Sequence, residues 1–142
     1  MSLRPFRLGT AVWYSVLLWV LGFVWGTIVF MVPPLKAVQS IPYFSKYPAI
    51  SLVLLPVYVI LVWLVARRYL SSATNKAVEG LKLGGMILVV NLLLDVIVYL
   101  VLFNSADYFT FASIWVAYAM FVFLPWLVGK ASPSIGRIAE RP

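Results

Sequence analysis

The sequence predicts an all-α, polytopic membrane protein: an antiparallel bundle of four transmembrane helices in a single domain. Three observations carry that reading. Hydrophobic residues make up 64% of the 142 positions and the mean hydropathy is +1.04, against about 45–50% apolar in a soluble domain. Four apolar runs have the length needed to cross a hydrocarbon core about 30 Å thick. The basic residues gather at the ends of those runs and on one side of them.

The first run is residues 10–32, closed by Pro33-Pro34. A secretory signal peptide has a shorter apolar core and a small-residue cleavage site. This run ends in Phe30-Met31-Val32-Pro33 and reads as a retained helix. Residues 34–47 read as an extramembrane loop at the interface, because Tyr43, Phe44 and Tyr47 suit headgroup depth. The second run, 49–65, is opened by Pro48 at a position where no helical hydrogen bond is lost. Pro56 lies inside that run and is expected to kink it. Residues 70–82 are polar. The third run is 83–103, Asn104-Ser105-Ala106-Asp107 reads as a tight turn, the fourth run is 108–128, and 131–142 reads as a flexible tail.

Orientation follows from the cations. Arg4, Arg7, Arg67, Arg68, Lys76, Lys82, Lys130, Arg137 and Arg141 fall on one side, and only Lys36 and Lys46 on the other. The positive-inside rule puts both termini and the middle loop in the cytoplasm. The net charge of +7 is thereby read as topology signals and contacts with anionic membrane lipids, with Arg67 and Arg68 as stop signal and headgroup contacts. Nucleic acid is not an expected partner, because the cations follow the helix ends rather than one basic face.

Composition narrows the chemistry. There are no cysteines and no histidines, which removes thiol nucleophiles, disulfides and the commonest metal ligand and general base. The four acids, Glu79, Asp95, Asp107 and Glu140, are scattered. No cofactor, metal site or enzymatic activity is expected, since nothing assembles by spacing. Glu79 with Lys82 or Lys76 reads as a solvated pair at a helix entry.

Lipid offers helices no hydrophobic drive to associate, so small residues and hydrogen bonds must join them. Gly22 and Gly26 in helix 1, and Gly80, Gly84 and Gly85 at the start of helix 3, are candidate packing positions, as are Ser113 and Ala117 in helix 4. They serve packing within the bundle more readily than dimerisation. The tryptophans Trp13, Trp19, Trp25, Trp63, Trp115 and Trp126 read as interface anchors and bundle filling rather than an aromatic ligand box.

Asp95 is the residue that does not suit lipid. It lies about 3 Å beyond the middle of the third apolar run, where a carboxylate costs about 2.5–3.5 kcal/mol on insertion scales. It must face protein or water, or be protonated. Gly84, Leu88, Asn91, Asp95 and Tyr99 follow three- and four-residue steps and share a helix side. No span holds a Lys, Arg or His to pair with Asp95. Tyr58 and Tyr118 fall near the middle of helices 2 and 4, although tyrosine favours the interface. The sequence therefore predicts an internal polar cluster of Asp95, Asn91, Tyr58 and Tyr118. Its roles would be to lock the helices, to carry a proton or cation in a transporter, or to pair with a basic group on another subunit.

From Glu79 onward, Glu79-Gly80, Gly84, Asn91 and Asp95, followed by a tyrosine-rich last helix with Tyr118 and Pro125, resembles a group of small, uncharacterised four-helix prokaryotic membrane proteins over residues 79–128. The resemblance implies the four-helix plan and a helix-3 aspartate as a recurring feature; the expected location is a prokaryotic cytoplasmic (inner) membrane. It implies no activity. Small multidrug transporters share only the size: their membrane-embedded glutamate lies in the first helix, where this chain has no acid.

Two functions are expected in order. The first is a small accessory or scaffold subunit of a membrane complex, partnered by another membrane protein or by itself. The second is a proton- or cation-coupled transporter, working as a homodimer with Asp95 as its coupling site.

Overall fold

A computed structural model describes residues 6–31, 52 and 54–132. Among these the chain is all-helical, with no strand. The elements are α1 (Leu8–Met31), α2 (Leu54–Leu70), α3 (Lys76–Asp95), a π-helical continuation (Val96–Leu102), a 3-10 turn (Asp107–Thr110) and α4 (Ala112–Ala131). Three stretches are long and apolar enough to cross a membrane: Leu8–Ile28, Lys76–Leu102 and Ala112–Ala131. The interfacial loop expected at 34–47, Pro48, the tail from residue 133, and the cations Arg4, Lys36, Lys46, Arg137 and Arg141 lie outside the described residues.

The helices form where a backbone in an apolar setting must satisfy itself. Two hydroxyls of α1 bond to their own helix: Ser15 Oγ donates to the Ala11 carbonyl at 2.8 Å and Thr27 Oγ1 to that of Phe23 at 2.9 Å. The largest departure from the sequence reading is the start of α3. Lys76–Lys82, expected as polar connection, is helical. Its polar residues are those that start a helix. Asn75 caps it by accepting from the Val78 amide at 3.3 Å, and Glu79 stands in the first turn beside the positive end of the helix dipole. Polarity there marks a helix entry and not a break. Glu79 pairs with Lys82 at 3.7 Å on this turn.

Other boundaries move for local reasons. The fourth helix begins at Ala112 rather than Tyr108, because Asp107–Thr110 closes into a 3-10 turn and Phe111 is extended. The turn before it is tight as expected, with Asn104 in the left-handed region at φ 48°. Pro56 stands in the first turn of α2 as described, where its missing amide costs no helical bond. Pro125 lies in the interior of α4.

Packing inverts the soluble pattern. Leu93 is 57% exposed, while Asp95, two residues on, is 6% exposed. The buried face of α3 is Gly80, Leu83, Gly84, Ile87, Asn91 and Asp95, and Tyr99 continues it on the π-helical turn. The main partner of α3 is α4, while α1 lies against α3 and α2, and α2 also packs on α4. Glycine sets the α3–α4 spacing. A Cβ at Gly80 would collide with the Pro125 carbonyl, one at Gly84 would lie 2.8 Å from the Phe121 carbonyl oxygen, and one at Gly129 would collide with the Lys76 carbonyl. Only a residue without a Cβ permits backbones this close.

Candidate functional site

The site is built around Asp95, the last residue of α3, where the α-helix widens into the π-helix. The change is visible in the hydrogen bonds: Phe103 N donates to Val98 O at 3.0 Å, five residues back. Such wide turns recur at functional positions. Tyr99, four residues after Asp95, is buried on the inward face that Asn91 and Asp95 occupy, so the polar stripe continues past the carboxylate into the wide turn.

Three neutral donors converge on the Asp95 carboxylate. Trp19 Nε1 of α1 donates to Oδ1 at 2.7 Å. The Tyr118 hydroxyl of α4 donates to Oδ2 at 2.6 Å, and the Tyr108 hydroxyl, from the 3-10 turn, donates to the same oxygen at 3.2 Å. The carboxylate thus links α1, α3, α4 and the connection between the last two. Tyr108 is held by its neighbours: its ring stacks on Tyr99 with centroids 3.7 Å apart, and Phe109 stands at 90° to it at 5.3 Å. Trp115 meets Tyr118 edge to face at 5.8 Å. The hydroxyl groups are thus oriented by rigid aromatic contacts.

The four residues named from sequence occupy one region but play different parts. Asp95 and Tyr118 bond directly. Asn91 turns to the backbone: its Nδ2 donates to Ile87 O at 2.8 Å and to Ser15 O at 3.2 Å, joining α3 to α1. Tyr58 of α2 lines the same cavity, its ring edge-on to Phe121 at 5.5 Å and pressed against Gly22. A Cβ at Gly22 would collide with the Tyr58 hydroxyl, so this glycine makes room for the phenol. Gly26 is buried on α1. Arg67 and Arg68 stand in the last turn of α2, far along the chain from these groups, with the Arg67 guanidinium 4.8 Å from the Trp63 ring centre.

Along the helix axes the cluster is off-centre. The helical stretch through Asp95 is Lys76–Leu102, 27 residues, so its middle is near Val89 and Asp95 follows by about 9 Å along the axis. Tyr118 lies about one turn before the middle of α4. The cluster therefore sits toward the end of α3 that leads to the 103–111 connection.

Trp19, Tyr108 and Ser15 are not in the polar cluster that the sequence predicts; Trp19 reads there as an interface anchor or bundle filling. A signal for Trp19 and Ser15 exists: Ser15, Trp19, Gly22 and Gly26 follow helical steps and share a side of α1. Tyr108 has none, because its position depends on a 3-10 turn and a ring stack.

A cavity of about 30 Å³ adjoins the cluster, lined by Asp95, Asn91, Tyr58 and Tyr118 among residues from all four helices. That volume admits one or two waters, given polar partners. Among the described residues no three acids come together. Compared with known proteins, the chain matches no family model, no curated protein and no solved structure.

Proposed function

We propose that this chain is a non-enzymatic integral membrane protein, crossing the bilayer four times as an antiparallel bundle and serving as a small accessory or scaffold subunit of a membrane complex. Contacts at the helix ends support the topology. Arg7, ahead of α1, bonds to Tyr69 and Ser72 at the end of α2, and Gly129 near the end of α4 meets Lys76 at the start of α3. Arg7, Arg67, Arg68, Lys76, Lys82 and Lys130 all stand at those ends, which supports a cytoplasmic placement for both termini. The fourth span is α2, whose 17 described residues continue an apolar run that begins at residue 49 and whose Ile60 and Leu64 are more than half exposed.

One observation carries the functional reading: both oxygens of Asp95 are engaged by donors from three elements. The ionisable group is occupied in joining helices, and the outward faces are left to lipid and to a partner. Native mass spectrometry of the protein gently released from its own membrane tests this. A stoichiometric hetero-complex is the expected result. A monomer or homodimer carrying no partner sinks the accessory reading.

The cavity favours a second reading, a proton- or cation-coupled transporter with Asp95 as the coupling site. It requires pH-dependent flux into vesicles that disappears in Asp95→Asn while the fold is retained. Flux that persists in that variant removes the reading.

A further inference from the structure

The opposite end of the molecule holds a second polar feature that owes nothing to Asp95. A groove of about 310 Å³ lies between the start of α1 and the end of α2. Arg7 and Arg68 line it together with the hydroxyl-bearing Thr10, Tyr14, Ser71 and Ser72, and none of its described lining residues is acidic. Glu79 lines the neighbouring recess, which shares Arg7, Tyr69 and Ser72 with the groove, and there it pairs with Lys82.

Arg7 is held in place before any ligand arrives. Its Nη2 donates to the Tyr69 carbonyl at 3.1 Å and to Ser72 Oγ at 2.9 Å, and its guanidinium lies 5.2 Å from the Tyr69 ring centre. These contacts use one nitrogen of a five-donor fork whose planar geometry matches phosphate oxygens. Tyr69 also lines the groove. It is 3% exposed, and its hydroxyl is buried with no hydrogen-bond partner among the described residues.

We propose that this groove binds a phosphate group, supplied by the phosphodiester headgroup of an anionic phospholipid. Two arginines and several hydroxyls, with no acid among the groove's own described lining residues, select an anion. The α2 surface points to a lipid as its source: Arg68, Leu64 and Ile60 are four residues apart on one helix face, and all three are exposed. A headgroup at Arg68 leaves its acyl chain lying along Leu64 and Ile60. Basic recesses between helix ends on the cytoplasmic side suit such headgroups.

Arg67→Gln and Arg68→Gln separate a built site from general charge attraction. They remove the same charge from adjacent exposed positions, but only Arg68 lines the groove. The full chain in neutral detergent micelles is titrated with phosphatidylglycerol, phosphatidylcholine or inorganic phosphate, and bound ligand is read by native mass spectrometry. The expected result is preference for phosphatidylglycerol over phosphatidylcholine, with R68Q weakening it about tenfold relative to R67Q. Equal retention of the two lipids, or equal loss in the two variants, overturns the proposal. Inorganic phosphate displacing phosphatidylglycerol at similar concentration overturns the lipid source and leaves a site for free phosphate.

Discussion

The two ends of α3 hold the same helix to its neighbours by opposite means. At Gly80 and Gly84 the backbone of α3 touches that of α4, with no side chain between them. From Asn91 to Tyr99 large side chains fill the space, and a carboxylate with its three donors joins the elements across it. The dry seam sets how far apart two helices stand. The polar end sets how they are rotated and which elements meet, because hydrogen bonds are directional and packing of small residues is not. In lipid both are needed, since burial of apolar surface distinguishes poorly between neighbours that are equally apolar outside.

Changes at the dry seam are expected to cost most. Gly84→Leu places a branched side chain where even a Cβ would crowd the α4 backbone, and a loss of about 3 kcal/mol or more is expected. Gly85→Leu is the control, since nothing lies within 4 Å of its Cβ position. Unfolding in mixed micelles by increasing SDS measures both. Equal effects in the two variants would break the contrast between a backbone seam and an ordinary helix face.

At the polar end, Asp95→Ala removes the acceptor of three donors at once. Intramembrane hydrogen bonds average about 0.6 kcal/mol each, so a loss of about 2 kcal/mol is expected in the same unfolding measurement. A stability unchanged from the parent protein would deny that the carboxylate joins the helices. Single deletions sharpen the comparison further. Tyr118→Phe breaks the 2.6 Å bond and Tyr108→Phe the 3.2 Å bond, so losses of about 1 and about 0.5 kcal/mol are expected. The reverse order would mean that the longer bond, braced by the Tyr99 stack, does more than its distance suggests.

The legible and illegible parts of the site differ by kind of information. Asp95, Asn91 and Tyr118 could be named because a polar group in an apolar run is conspicuous and helical spacing assigns it a face. Trp19 was legible only as an interface anchor, since tryptophan is ordinary in a membrane helix; its face, shared with Ser15, Gly22 and Gly26, was the usable sign. Tyr108 was assigned to the fourth helix. Its contact with Asp95 arises because the chain forms a 3-10 turn there and its ring stacks on Tyr99. Glu79 with Lys82 or Lys76 already reads as a helix entry, but the apolar run begins only at residue 83, and hydropathy alone cannot place the first turn at Lys76, where the Asn75 cap puts it.

By itself the sequence determined that this is a helical membrane protein, where its apolar runs fall, and that Asp95 must turn away from lipid. Those properties follow from local composition and from the cost of moving charge and unpaired backbone into hydrocarbon. The tertiary structure decided which donors meet Asp95, that α3 and α4 touch backbone to backbone, and that Arg7 and Arg68 line one groove. Contacts between residues distant in the chain depend on helix rotation and spacing, and no local pattern encodes either until the helices pack.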